Sequence, residues 1–399
     1  MELEPRGQEA VRALIAKGVS IPNPLSLDIG PEVDVARISG DRVTLHPGCR
    51  IHGAQTVVSA GVALGAEGPV TIEDCHLGPG VQLKGGYFAK SVFLERANMG
   101  LGAHVRAGTL LEEEANGAHT VGLKQTILLP FVTLGSLINF CDCLMAGGTS
   151  RKDHSEVGSS YIHFNFTPDG TKATPSLFGD VPRGVMLRER PIFLGGQGGA
   201  VGPVVTGFGS VVGAGSILRD DILDDGQFVI AAPAGAVSRP MTTHAHRKLR
   251  RVVEKNLDYL ANLAALDAWY REVRRPFFAR QELGPLVYEG ALQVLASARQ
   301  ERVNRLTSMI ATVPPDDEGR RELRDHVGEL AALFDSPDLP DGSAFLDALG
   351  SPEDGYIATI QRLPTDVADA GVAWLQGILD SVRSRATAIV PSLNLYSAG

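Results

Sequence analysis

Aliphatic residues recur every six positions through the first half of the chain. In the stretch FLGGQGGAVGPVVTGFGSVVGAGSILRDDI, Leu194, Ala200, Thr206, Val212 and Leu218 stand six apart, and Gly195, Gly207 and Gly213 follow three of them. Leu45, Ile51 and Val57 keep the same step, as do Leu77 and Leu83, then Met99, Val105 and Leu111, then Val121, Ile127 and Thr133. A period of six fits neither a helix nor an alternating strand. It predicts a parallel β-helix of hexapeptides. Each short strand turns one aliphatic side chain to the axis, a small residue lets the backbone turn, and three strands close a triangular coil. Stacked coils then share one apolar interior. The rhythm falters at 58–70, 85–98 and 112–120, where loops or insertions are expected. A Gly-rich antiparallel sandwich is the competing arrangement, and sixfold spacing in several separate windows argues against it.

Beyond about residue 235 the spacing becomes helical. HAHRKLRRVVEKNLDYLANLAALDAWYREVRR carries Leu249, Val253, Leu260, Leu263, Leu266, Tyr270 and Val273 near a 3.6-residue step. Pro276 is expected to end that helix. Further helices are expected near 281–312, 317–334 and 364–388, with turns at 313–318 and 336–342, and a short leading helix at 8–17. The expected organisation is a lead-in over 1–30, a β-helix over 31–235 with an inserted loop near 145–190, and an all-α domain over 236–399. In outline the chain reads as mainly β followed by all-α.

Composition agrees with this division. The 46 glycines of the 399 residues concentrate before residue 235. No apolar run approaches the roughly 20 residues of a membrane span. The charged start MELEPRGQEAVRALIAKG lacks a signal-peptide core, so cytoplasmic residence and no membrane partner are expected. A net charge of -9 speaks against nucleic acid as a general partner. Cys49, Cys75, Cys141 and Cys143 form no CxxC pair and read as small buried residues, so no metal is expected. Cys141 and Cys143 would share one side of a strand. The basic cluster Arg247, Lys248, Arg250 and Arg251 reads as a solvated helix face rather than a phosphate site.

The stretch SSYIHFNFTPDGTKATPSLFGD, 159–180, breaks the rhythm and gathers His163, Asn165, Asp169 and Lys172. A loop thrown out of a repetitive scaffold is a natural place for function. Tyr161, His163 and Asn165 alternate and would face one way on a strand. Just before it, MAGGTSRKDHSEVG supplies Arg151, Lys152, Asp153 and His154 in a polar loop, with backbone N–H groups suited to an anion. Asp153 could orient His154 or His163 as a general base.

Three stretches resemble the hexapeptide-repeat acyltransferases, and more narrowly the acetyltransferase half of the bacterial bifunctional N-acetylglucosamine-1-phosphate uridylyltransferase / glucosamine-1-phosphate acetyltransferases. RAGTLLEEEANGAHTVGLK, Arg106 to Lys124, is similar to that family's Arg-Pro-Gly segment running to a Lys. NFTPDGTK looks like its Asn-Tyr-Asp-Gly loop ending in Lys, with one extra residue, here Asn165 and Lys172. GQGGAVGPVVTGFGSVVGAGS resembles its closing coils. The resemblance covers roughly 100–222. It implies a left-handed β-helix, a homotrimer with sites between neighbouring prisms, and an acyl-CoA donor. It also implies that Arg106, Lys124, Asn165 and Lys172 surround a sugar phosphate or nucleotide sugar such as UDP-N-acetylglucosamine, with Tyr161 beside them. Arg offers a planar fork to phosphate oxygens and Lys a mobile point charge. The family's coenzyme A region falls at Gly196, where its Ser is missing, and at Ala214, which is kept. The helical domain would cap the end of the prism or extend the trimer contact.

The departures bear on catalysis. The family's catalytic His lies between the first Lys and the Asn loop, and 125–153 contains no His. Counting back from Asn165 puts Asp142 in its place; counting forward from Lys124 puts Ser136 there. His163 is the better base chemically, because imidazole titrates near neutrality, and His154 stands next in line. No uridylyltransferase signature is present in the N-terminal part, which continues the β-helix. The expected function is acyl transfer to an amino-sugar phosphate or nucleotide sugar. The alternatives are a non-catalytic nucleotide-sugar sensor or scaffold and a different reaction on such a ligand.

Overall fold

The computed structural model describes residues 6–167, 170–232, 235–236, 238, 240, 246–335, 340–350 and 354–397. Its first part is a parallel β-helix. Ten strands stack in one sheet, from Thr44–Leu45 to Phe228–Val229. A sixteen-stranded sheet supplies the other two faces, because Val121–Leu128 and Ile138–Met145 each bend around a corner and join them. We call the sheet face through Ile51, Val105 and Leu123 the first, that through Leu77, Leu111 and Leu128 the second, and the ten-stranded face the third. Every pairing is parallel, and partners repeat in register: Leu45 with Leu64, Leu64 with Leu83, Leu83 with Met99. All of these are fully buried.

The sixfold pattern located this interior, with two corrections. The stretches 85–98 and 112–120 are regular coils, not loops, whereas 58–70 does hold a widened corner between Ala63–Leu64 and Val70–Glu73. Within 85–98, Gly86–Ala89 and Ser91–Phe93 are separated only by Lys90, whose φ of 48° turns the corner in one residue. A shortened corner shifts the period without breaking the coil. Thr133 points outward, and Leu134 takes the interior place that the sixfold step assigned to it. The true insertions follow Met145, Phe164 and Phe178.

The chain opens with helix α1 (Gln8–Lys17), and α2 (Val181–Gly184) lies in the insertion after Phe178. After the β-helix come α3 (Leu249–Trp269), α4 (Arg275–Phe278), α5 (Gly284–Ala311), α6 (Glu318–Asp325), α7 (Val327–Ala332), α8 (Ser343–Leu349), α9 (Tyr356–Gln361) and α10 (Thr365–Ile389). Pro276 does not end a helix. A π-helical turn at Tyr270–Arg274 absorbs it, and Pro276 sits in the first turn of α4, where its missing N–H has no intrahelical partner to lose. The expected single helix at 317–334 is two, broken at His326. Of the expected turn at 336–342, residues 336–339 lie outside the described residues.

These helices lie along the second face of the prism instead of capping its end. Helix α5 packs on the strands around Leu77, Phe93 and Leu111. Gly290 makes the approach possible: a Cβ there would meet the His76 ring at 2.4 Å. An α-helical turn of about 5.4 Å nearly matches the strand spacing of about 4.8 Å, so a helix laid along the prism axis keeps pace with the coils. Helix α3 is buried almost all round, as expected of a helix between the prism and α5 and α10. The basic cluster at its start is not merely solvated. Arg251 and Lys255 pair with Asp221 at 3.0 and 3.3 Å, and Lys248 with Asp220 at 3.5 Å. These pairs tie α3 to the last coils.

Among the described residues no helix packs closely on the third face, and its outward column changes character. Gln82, Asn98, Asn116, Thr133 and Glu156 follow one another in register, then Phe193, Val211 and Phe228. The last three are 38%, 37% and 69% exposed.

Candidate functional site

The corner between the first and second faces collects the residues that the sequence singled out. Val105 partners Leu123 and Lys124 partners Cys141, so Arg106, Lys124 and Cys141 follow one another just before the corner in successive coils. Arg106 is exposed and Lys124 half-buried. Arg106 Nη2 lies 3.9 Å from Cys141 Sγ, so its guanidinium reaches past Lys124 to the next coil. Among the described residues neither cation forms an ion pair with a carboxylate. Two cations about one strand spacing apart, with no carboxylate counter-ion among the described residues, can attract an anion.

The corner itself is made by Gln125 and Asp142, with φ of 52° and 59°. Asp142 therefore separates Cys141 from Cys143: one closes the first face and the other opens the second, so they do not share a side as the sequence suggested. All four cysteines are buried and free, and among the described residues no group of three or more metal-ligating side chains exists.

Asp142 is 6% exposed and fully engaged. Its Oδ1 accepts a hydrogen bond from Arg302 Nη2 at 2.6 Å, and its Oδ2 accepts one from Asn165 Nδ2. Arg302 comes from α5, across the helix–prism boundary, and is 2% exposed. The loop that follows is held from the same side. The Asn165 carbonyl accepts from Thr174 Oγ1 at 3.0 Å, and Asn256 of α3 donates to the Ala173 carbonyl at 3.1 Å. Lys172 is exposed on this loop; Asp169 lies outside the described residues. Near Asp142, Gln125 Oε1 and Arg302 Nη1 are buried without protein partners.

His163 and Tyr161 do not face this corner from outside. In the strand Ile162–Phe164 it is Ile162 and Phe164 that are exposed, while His163 and Tyr161 are 2% and 0% exposed among Phe140 and Phe178 inside the prism. His163 Nε2 bonds Ser176 Oγ at 2.7 Å. Burial lowers its pKa to about 4, against a smaller opposing pull from Asp142. Burial likewise raises the Tyr161 phenol far above its usual range. The alternation of Tyr161 and His163 was real, but it points them inward; Asn165 lies beyond the strand and is half-buried.

His154 lies elsewhere, at the corner between the second and third faces. Its Nδ1 is 2.9 Å from the Arg151 carbonyl, which fixes that nitrogen as the donor, and its Nε2 is 3.6 Å from Glu156. Asp153 does not orient it; Asp153 accepts from Thr149 Oγ1 at 2.7 Å. Arg151 turns inward and donates to the Glu114 and Phe131 carbonyls at 3.1 and 3.0 Å. Gly196 and Ala214 lie at the remaining corner, after Phe193–Leu194 and Val211–Val212. One chain thus brings together Arg106, Lys124, Asp142 and Asn165, and leaves His154 on a second corner and Gly196 and Ala214 on a third.

Arg302 was missed by the sequence reading. Its signal was a charge on an apolar stripe: Val287, Ala291, Leu295, Ala298, Arg302 and Leu306 share the buried side of α5.

No protein-family model matches the chain. It is similar to several curated proteins named bifunctional protein GlmU. That of Kineococcus radiotolerans is 26% identical over 231 residues, 58% of this chain and 40% of the relative. That of Fervidobacterium nodosum is 26% identical over 256 residues, 63% of this chain and 49% of the relative. That of Thermotoga petrophila is 26% identical over 213 residues, 53% and 42%. The chain spans less than half the length of these relatives. The likeness agrees with the parallel β-helix and with the acetyltransferase-like motifs. Among the described residues no helix is long and apolar enough to cross a membrane.

Proposed function

We propose that the Arg106–Lys124 corner binds a sugar phosphate or nucleotide sugar, and that the chain serves an acetyltransferase-like function toward it with an acyl-CoA as donor. The observation that carries this reading is the stacking of Arg106 and Lys124 on adjacent coils without carboxylate partners, with Asn165 beside the same corner. The cations hold phosphate, and Asn165 offers an amide to sugar hydroxyls. In acyl transfer the acceptor amine attacks the thioester carbonyl, its proton passes to a base, and coenzyme A leaves as the thiol. Gly196 and Ala214 are the proposed donor-side positions. Because they lie on another corner, this reading needs a neighbouring prism, as in a homotrimer. The apolar ladder Phe193, Val211 and Phe228 supports such an association through the last coils of the third face.

A second reading, a nucleotide-sugar sensor that binds without turnover, is favoured by one observation: each base candidate on this side is occupied or enclosed. Asp142 is held by Arg302 and Asn165, and His163 is sealed in the prism. Within the transferase reading this leaves His154, reaching the ligand across a subunit boundary.

The deciding experiment measures UDP-N-acetylglucosamine and glucosamine-1-phosphate binding by calorimetry, and thiol release from acetyl-CoA with amino-sugar phosphates. Arg106→Ala or Lys172→Ala should weaken binding about ten- to a hundredfold, the worth of one charge-assisted hydrogen bond. Unchanged binding in both rejects the site. Binding without thiol release selects the sensor. Thiol release that His154→Ala abolishes selects the transferase. Light scattering that finds a stable monomer at micromolar concentration rejects the shared site.

A further inference from the structure

Away from that corner, the helical layer and the prism enclose a cavity of about 280 Å³ lined by Glu95, Glu113, Arg274, Phe277, Phe278 and Tyr356 among others. On its prism side Glu113 lines the cavity, with Glu112 buried next to it. Glu112 accepts from the Tyr270 hydroxyl at 2.7 Å and from Arg274 Nη1 at 3.4 Å. Glu113 takes Arg274 Nη2 on Oε1, and its Oε2 is buried with no partner. Glu113 is 7% exposed and Arg274 1%. One guanidinium therefore serves two buried carboxylates. Of the other charged groups of the lining among the described residues, Asp354 is taken by Arg362, Glu95 is 3.4 Å from Arg96, and Arg280 adds a second guanidinium that leaves the Glu113 Oε2 without a donor.

We propose that this cavity binds a small organic cation, an aliphatic ammonium or guanidinium, whose charged group hydrogen-bonds the unpartnered Oε2 of Glu113. A buried acceptor without a donor costs free energy that a cationic donor restores, and charge-assisted hydrogen bonds are the strong ones. The place already stabilises a cation of this kind: the Arg274 guanidinium carbon sits 3.7 Å from the centre of the Tyr356 ring. Phe277 and Phe278 offer further ring surface to an alkyl stem or a second cation. The volume lies near the lower end of ligand pockets, which fits a short chain and excludes a nucleotide.

When the cation is absent, Glu112 is poised to hold a proton. Burial, aided by the neighbouring Glu113 and opposed by Arg274 and the Tyr270 hydroxyl, pushes Glu112 up to about 7. Tyr270 and Tyr356 are driven by burial further above their usual range and stay neutral. Near pH 7 an entering cation displaces the proton of Glu112, and the proton passes to the buffer.

Calorimetry on the full chain tests this with putrescine and agmatine as probes and with 1,4-butanediol and succinate as controls of matched length. Saturable binding of the amines alone is expected. The heat at pH 7 should change with the ionisation enthalpy of the buffer, and affinity should fall as pH drops from 7 to 6. Glu113→Gln should weaken binding about tenfold or more. If that variant does not fold, Glu95→Gln should weaken binding severalfold in its place, and the proton release decides in the unaltered chain. No heat with either amine at millimolar concentration overturns the proposal. So does equal binding of the diol, or binding that neither releases protons nor responds to these glutamate changes.

Discussion

Two arginines of the helical layer dock onto the prism, and they solve different problems. Arg302 hydrogen-bonds one carboxylate, Asp142, whose second oxygen is taken by an amide; its other carboxylate neighbour, Glu301 at 3.9 Å, is paired more closely by Arg305 at 2.8 Å. Arg274 meets two carboxylates, Glu112 and Glu113, and leaves one oxygen bare. The first cluster is balanced in charge and fixes the geometry of the corner and of the loop after Asn165. In the second, one guanidinium serves two buried carboxylates and one oxygen is left bare, so it holds a proton or takes a cation. Identical chemistry at two corners of one prism thus gives a lock in one case and a charge-sensitive cavity in the other, and the count of carboxylates per arginine decides which.

The comparison is broken most directly at Arg274. Arg274→Met strands two buried carboxylates, and urea unfolding should show a loss of about 3–5 kcal/mol. A loss below about 1 kcal/mol would mean that the pair is neutral as built. Arg302→Met strands one carboxylate that Asn165 still holds, so a smaller loss of about 2–3 kcal/mol is expected by the same measurement. Adding Asp142→Asn should recover most of it; no recovery would show that Arg302 contributes by packing rather than by charge.

The pH dependence of stability sharpens the contrast further. His76 and His163 are each lowered to about 4 by burial, below the unfolded value of about 6.5. The folded state binds fewer protons at both, so stability falls as pH drops from about 6.5 toward 4. Glu112 acts in the opposite sense. Its folded pKa of about 7 exceeds the unfolded carboxylate value, so the folded state gains stability as pH falls through 7 toward about 4.5. Across about pH 6.5 to 4.5 one of the two histidine losses is offset. Glu112→Gln removes the offset, and the acid-side slope should steepen from about 1.4 toward about 2.8 kcal/mol per pH unit. Urea unfolding midpoints at several pH values measure this, and an unchanged slope refutes the assignment. The smallest effect belongs to the exposed corner: Arg106→Ala should change stability by less than about 0.5 kcal/mol, because no ion pair is lost. A larger cost by denaturant titration would make Arg106 a structural residue and remove it from the ligand site.

Much of this molecule could be read along the chain. The period of six found the prism interior at Leu45, Ile51, Leu83 and Val105, because each hexapeptide must bury one side chain whatever its neighbours do. The same pattern misplaced Thr133 and read 85–98 as a loop, because one-residue corners such as Lys90 shift the phase without ending the coil. The family resemblance paired Arg106 and Lys124, and the structure stacks them because the eighteen residues between them make one full coil. His163 was placed on the wrong side of its strand. Alternation says that Tyr161 and His163 share a side and cannot say which side is the axis.

The sequence by itself determined the repetition and the division into β-helix and helices, both of which follow from local periodicity. Only the tertiary structure decided where the helices lie, and with them the fate of the polar residues beneath. Gly290 lets α5 settle on the second face, and that brings Arg302 to Asp142, 160 residues away in the chain, at 2.6 Å. The same docking brings Arg274 to Glu112 and Glu113. An arginine on an apolar helical stripe announces a buried partner. Which carboxylate answers, and how many, is set by packing between distant segments, and no spacing along the chain encodes that.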